Sequence, residues 1–145
     1  MEDLPATLDE AISTEPMWLL SWLFLLVGTH FLSLVFMVYK DEQGFRFRWE
    51  PLGILGCFFL AGAIMDVIYQ EFGYVRLLGL AHIIGWAPIY IYFLVKRKGI
   101  GFITLWGKYV HLYLLIAGIS LVVDALDTVR YLVGDDASIY LRWQI

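Results

Sequence analysis

From Met17 to Tyr39 the chain runs for more than twenty residues without an aspartate, glutamate, lysine or arginine. A hydrocarbon layer of ~30 Å is crossed by ~20 apolar helical residues, and a water-soluble fold has no surface on which to carry such a segment. The remainder repeats the pattern: 61% of the 145 residues are hydrophobic and 17% aromatic, with a mean hydropathy of +0.74. A chain of this length has room for about four crossings and no separate soluble catalytic domain. The sequence predicts an all-α membrane protein with four transmembrane helices.

The spans fall at about residues 17–39, 51–71, 77–95 and 102–133. Pro51 suits the first turn of the second helix, and Phe72-Gly73-Tyr74 offers a reversal before Arg76. Pro88 lies inside the third span, where it is expected to kink the helix and leave a carbonyl near Ile84 unpaired. The first 16 residues form an acidic segment; Met1 to Glu15 holds five acids and no base, unlike the basic start of a cleaved signal peptide, so the segment is expected to be retained. Thr7 followed by Asp9 and Glu10 predicts a short interfacial helix. Residues 134–145 form a short tail.

Orientation follows from the basic residues of the short loops. Lys40, Arg46, Arg48, Lys96, Arg97, Lys98 and Lys108 fall on one side, against Arg76, Arg130 and Arg142 on the other. That asymmetry predicts both termini outside. Trp18, Trp22, Trp49, Trp106 and Trp143 stand near span ends, where indoles anchor at the headgroups. Phe45-Arg46-Phe47-Arg48-Trp49 alternates aromatic and basic residues in a cytoplasmic loop suited to lying in the headgroups or docking a partner.

A net charge of −4 and the lack of a long basic run exclude nucleic acid, which demands neutralised phosphates. The lone Cys57 excludes an intrachain disulfide and a cysteine-clustered metal site. Ser21, Ser33 and Ser120 lie in apolar helices without a nucleophile-elbow turn. No catalytic constellation is present, and the chain is expected not to be an enzyme.

The residues that stand out are polar groups inside the spans. A charge at mid-helix costs ~2.5–3.5 kcal/mol on insertion scales, so such groups face the protein interior and find partners. At a rise of ~1.5 Å per residue, Asp66 lies ~7 Å, His82 ~8 Å and Asp124 ~10 Å inside the outer ends of three different spans. Tyr113, Ala117, Ser120, Asp124, Asp127 and Tyr131 share one face of the fourth helix. Asp127 and Arg130 are spaced for an ion pair along that helix. Gly62, Asp66, Tyr69 and Gly73 form a comparable stripe on the second helix, and Gly79, His82 and Trp86 on the third.

Three readings compete for these groups. The first is a structural network in which Arg130 holds Asp127, Arg76 holds Asp66 or Glu71, and His82 or Tyr69 bonds a leftover carboxylate oxygen. The second is an outer-half cation or proton site of Asp66, His82, Asp124 and Asp127, supported by Tyr69, Glu71, Arg76, Ser120, Arg130 and Tyr131; carboxylates suit hard cations, and an acid–imidazole pair relays protons. The third is a b-type haem between His30 and His111, each ~13 Å from the inner membrane face. No metal-ligand spacing on a single helix identifies an ion. Function classes follow in the same order of chemistry: a small channel- or transporter-like protein, an accessory or scaffolding subunit of a larger membrane complex, or an electron-transfer protein. Four short-looped helices enclose little interior, so self-association or docking into a complex is expected.

Gly79 to Gly99, with Ala81-His82-Ile83 leading into Trp86-Ala87-Pro88 and a basic stop, and Ile119 to Asp136, with Asp124, Asp127 and Arg130-Tyr131-Leu132, resemble small uncharacterised bacterial inner-membrane proteins of four spans. The resemblance implies a bacterial inner-membrane setting and carries over no activity and no binding residue.

Overall fold

A computed structural model of the chain describes residues 5–135; Arg142, Trp143 and most of the predicted tail lie outside them. The protein is mostly helical, with four helices long and apolar enough to cross a membrane. In chain order, α1 is Leu8–Ser13, α2 Met17–Leu32, β1 Val38–Asp41, β2 Gly44–Phe47, α3 Glu50–Phe72, α4 Gly79–Ile100 and α5 Leu105–Leu132. Single 3-10 turns, Ser33–Phe36 and Arg76–Leu78, extend α2 and lead into α4.

Local chemistry sets the ends of these elements. Thr7 caps α1 by accepting from the Glu10 amide, while the Glu10 carboxylate takes the Ala6 amide at 2.9 Å, satisfying donors that a helix start leaves free. Gly73 and Gly101, with φ of 74° and 69°, let the backbone turn off α3 and α4. Thr104 caps α5 through the Gly107 amide at 3.0 Å, so that helix begins at Leu105 and not at residue 102. Helix α4 runs unbroken through Pro88 and on past Lys96-Arg97-Lys98 to Ile100. Those cations are good helix formers and sit where the helix dipole favours positive charge.

The chain is not all-α. The first span ends as a regular helix at Leu32, and the residues after it fold into an antiparallel hairpin with Val38 opposite Phe47 and Asp41 opposite Gly44. Asp41 accepts the Gln43 amide at 2.8 Å, and Gly44 adopts a φ of 116°, a combination that makes the tight turn. Hydropathy alone extended the helix to Tyr39 because valine, phenylalanine and tyrosine are as apolar in a strand as in a helix. Val38, Lys40, Phe45 and Phe47 share one face of the hairpin, and Arg48 lies over the rings of Tyr39 and Trp106 at 4.4 Å from each centroid.

Helices α4 and α5 are the most enclosed, with 39% and 33% of their apolar windows buried, against 22% for the first span and 11% for α3. Ile54, Phe93, Val110 and Tyr113 form the fully buried heart of the bundle. Outside it, Phe24 is 81% and Leu115 62% exposed, side chains that in water would form an aggregation-prone patch and in a bilayer meet acyl chains or a neighbouring helix.

Close approach of α3 to α4 depends on Gly85, where a Cβ would lie 2.5 Å from that of Ala61. Gly79 does the same for α4 and α5, since a Cβ there would stand 2.8 Å from the Asp124 carbonyl oxygen. Gly62, which shares the second-span stripe with Asp66, touches nothing in this way. Gly85→Leu is expected to lower stability by ~1–3 kcal/mol through overpacking. Unfolding of the variant by SDS titration measures this, and a midpoint equal to that of Gly62→Leu would contradict the close contact.

Candidate functional site

The site occupies the end of the bundle where α1 lies. Gly79 admits α4 against the backbone of Asp124, and three residues further along His82 faces that aspartate across the contact. His82 Nδ1 is 2.9 Å from Asp124 Oδ2, with both side chains 15% exposed. An ionised carboxylate only accepts, so in the tautomer that makes this a hydrogen bond to ionised Asp124, Nδ1 is the donor. Ser120 Oγ donates to the same Asp124 oxygen at 3.4 Å. The His82 ring stacks on Trp86 with centroids 4.1 Å apart, so packing as well as hydrogen bonding fixes its orientation.

Asp127 stands one turn further along α5, where its salt bridge is to Arg76 at 3.0 Å. Arg76 Nε also lies 3.3 Å from Asp135 Oδ2, and Arg130 reaches that same oxygen at 3.4 Å. Asp127 thus takes an arginine from outside its own helix. Arg76 is buried and needs a carboxylate beside it, whereas Arg130 is well exposed and reaches the helix end.

Two cavities flank α2, and His82 lines both. One, of about 380 Å³, lies toward α5 and is walled by Glu15, Trp22, Tyr74, His82, Asp124 and Asp127 among others. The other, of about 580 Å³, lies toward α3 and includes Thr7, Leu26, Phe58, Asp66, His82 and Trp86. Asp66 is on that second wall but is exposed and accepts from Gln70 at 2.8 Å. The structure therefore brings His82, Asp124, Asp127 and Ser120 together and sets Asp66 apart on the neighbouring cavity. Tyr69 donates to the Pro5 carbonyl at 2.6 Å; Glu71, Arg76, Arg130 and Tyr131 line neither cavity.

Glu15 joins the site although the sequence singled out only acids inside the spans. It is 6% exposed, its Oε1 accepts from Tyr74 OH at 2.7 Å, and its Oε2 is buried without a hydrogen-bond partner. A signal existed: Glu15-Pro16 immediately precedes an apolar helix, so the acid had to lie at the membrane boundary. What hid it was its place in a segment already rich in acids.

His30 and His111 have separate hydrogen-bond and ring partners. His30 bonds the Leu26 carbonyl through Nδ1 at 2.8 Å, and its ring lies 4.7, 5.0 and 5.5 Å from those of Trp86, Phe58 and Tyr113. His111 bonds the Gly107 carbonyl at 2.8 Å and meets the edge of Phe102. Among the described residues, no group of three or more histidine, cysteine, aspartate or glutamate side chains is placed to hold a metal ion.

Comparison with known protein families, curated proteins and solved structures gives no match for this chain.

Proposed function

We propose that this chain is a small channel- or transporter-like membrane protein whose site of His82, Asp124 and Asp127 binds a cation or exchanges protons, with Asp66 on the adjoining cavity. The observation that carries the proposal is the His82 ring, paired with Asp124 and forming part of the wall of both cavities beside α2. An imidazole–carboxylate pair at that junction can take a proton from one cavity and release it to the other, because protonation at Nε2 and loss from Nδ1 are coupled through the ring. Arg76 holds Asp127 from behind the cavity wall and sets its direction.

The basic residues of the hairpin and of the α4–α5 end support a cytoplasmic side for that end, with α1 and the site outside. In this arrangement α1 lies at the outer interface. The broad apolar faces of α2 and α3 supply surface for a second copy or for other subunits of an assembly, and the setting is a bacterial inner membrane. Reconstitution into liposomes with an enclosed pH-sensitive dye tests the function: a proton gradient or a sodium or potassium gradient is expected to dissipate faster than in empty vesicles. Absence of flux under all three gradients, together with co-purification of unrelated membrane chains, would replace this proposal by an accessory role.

Topology has its own test. In a Cys57→Ser background, Ser13→Cys is expected to react with a membrane-impermeant maleimide on intact cells, and Gln43→Cys only after permeabilisation. The opposite pattern would invert the orientation and move the site to the cytoplasmic half.

A further inference from the structure

The 380 Å³ cavity between α2 and α5 falls within the ~300–1,000 Å³ of small-molecule sites, and its wall combines carboxylates with aromatic rings. Trp18 and Trp22 come from the start of α2, Tyr74 from the loop before α4, Glu15 from the α1–α2 junction and Asp124 from α5. Aliphatic side chains complete a lining that is largely carbon.

Charge accounting singles out Glu15. Arg76 is paired with Asp127, Arg130 with Asp135, and His82 with Asp124. Among the described residues the Glu15 carboxylate has the neutral Tyr74 hydroxyl as its hydrogen-bond partner, and Oε2 is buried without one. A buried carboxylate oxygen in that condition is costly unless a donor or cation arrives.

The chemistry of the wall selects the kind of cation. A hydrated inorganic ion exchanges its water for several oxygen ligands; Asp124 and Asp127 already face His82 and Arg76, and the indole and leucine surfaces beside Glu15 offer none. An alkylammonium ion carries a diffuse, weakly hydrated charge with its own carbon surface. It is attracted both by a carboxylate and by the faces of tryptophan and tyrosine.

We infer that this cavity binds an alkylammonium group, with Glu15 as counter-ion and Trp18, Trp22 and Tyr74 as its aromatic wall. The inference rests on the cation-binding function proposed above and names the class of cation. An ammonium of this kind reaches the outer membrane boundary either as a phospholipid headgroup or as a free amphipathic amine.

The test uses the full chain in nanodiscs of a digalactosyl glycolipid, whose headgroup has neither charge nor ammonium. Benzyltrimethylammonium is titrated while tryptophan fluorescence is read, with benzyl alcohol and sodium chloride as controls. Saturable quenching by the ammonium compound alone is expected, weakened roughly tenfold or more in Glu15→Gln, which keeps the hydrogen bond from Tyr74 and loses the charge. Glu15→Asp should recover part of the affinity, and Trp22→Leu should lose part of it with every carboxylate intact. Including phosphatidylcholine separates the sources: competition, with lipid retained by the wild type and not by Glu15→Gln in native mass spectrometry, supports a headgroup ligand, whereas unchanged binding supports a free amine.

Equal quenching by benzyl alcohol, or undiminished affinity in both a folded Glu15→Gln and Trp22→Leu, would overturn the inference. Proton flux in liposomes without ammonium binding would remove this inference and leave the transport proposal standing. Ammonium binding without flux would do the reverse.

Discussion

Asp124→Asn is expected to cut proton or cation flux through the reconstituted protein by roughly ten- to hundredfold, the factor that corresponds to losing one hydrogen bond to a charged group at a site. Asparagine has nearly the same shape, and its amide oxygen can still accept from His82 Nδ1 and Ser120 Oγ, so the contacts at 2.9 and 3.4 Å survive. What it loses is the negative charge and the capacity to accept a proton. The prediction therefore separates chemistry from folding: circular dichroism and SDS resistance should match the wild type while dye-reported flux falls. His82→Gln should give a comparable loss, and the double variant little more, because two members of one proton-exchanging pair do not act additively. Wild-type flux in a folded Asp124→Asn protein would end the transport proposal.

Arg76→Gln carries the largest expected effect on stability. Arg76 is 8% exposed and neutralises Asp127 at 3.0 Å and, in part, Asp135 at 3.3 Å. Removing one partner of a fully buried ion pair costs ~3–5 kcal/mol; Asp127, 23% exposed, keeps some solvation, so the loss falls toward or below the lower end of that range. Asp135 contributes less, being partly exposed and screened. Arg76→Gln combined with Asp127→Asn should recover most of the loss, since neither charge is then stranded. Steric-trapping or SDS unfolding of the two variants measures the difference. A single variant no less stable than the double would show that the pair is solvated and structurally idle.

Both predictions turn on contacts that sequence patterns reach only in part. The intramembrane positions of Asp124 and Asp127 were legible because a carboxylate inside a span must face protein. Arg130, three residues from Asp127, was the partner that helical spacing offered; Arg76, which reaches Asp127 at 3.0 Å from the turn before α4, was not legible that way. Asp66 shows the converse: its depth matched that of His82, but its side chain is exposed and bonded to Gln70 on its own helix. Glu15 lay in plain view and became part of the site only because α1 folds back beside Tyr74.

Hydropathy is read along one dimension, and the thickness of a bilayer converts it directly into helix number and length. The amino-acid order alone therefore determined the existence of four long apolar helices, the asymmetry of their flanking charges and which polar residues fall within them. Rotation of each helix about its axis is a different quantity. It is decided where small residues such as Gly79 and Gly85 let backbones touch, and those contacts depend on both surfaces at once. Only the tertiary structure could choose Arg76 for Asp127, enclose His30 in aromatic rings, and leave cavities on either side of α2 with His82 on the wall of each.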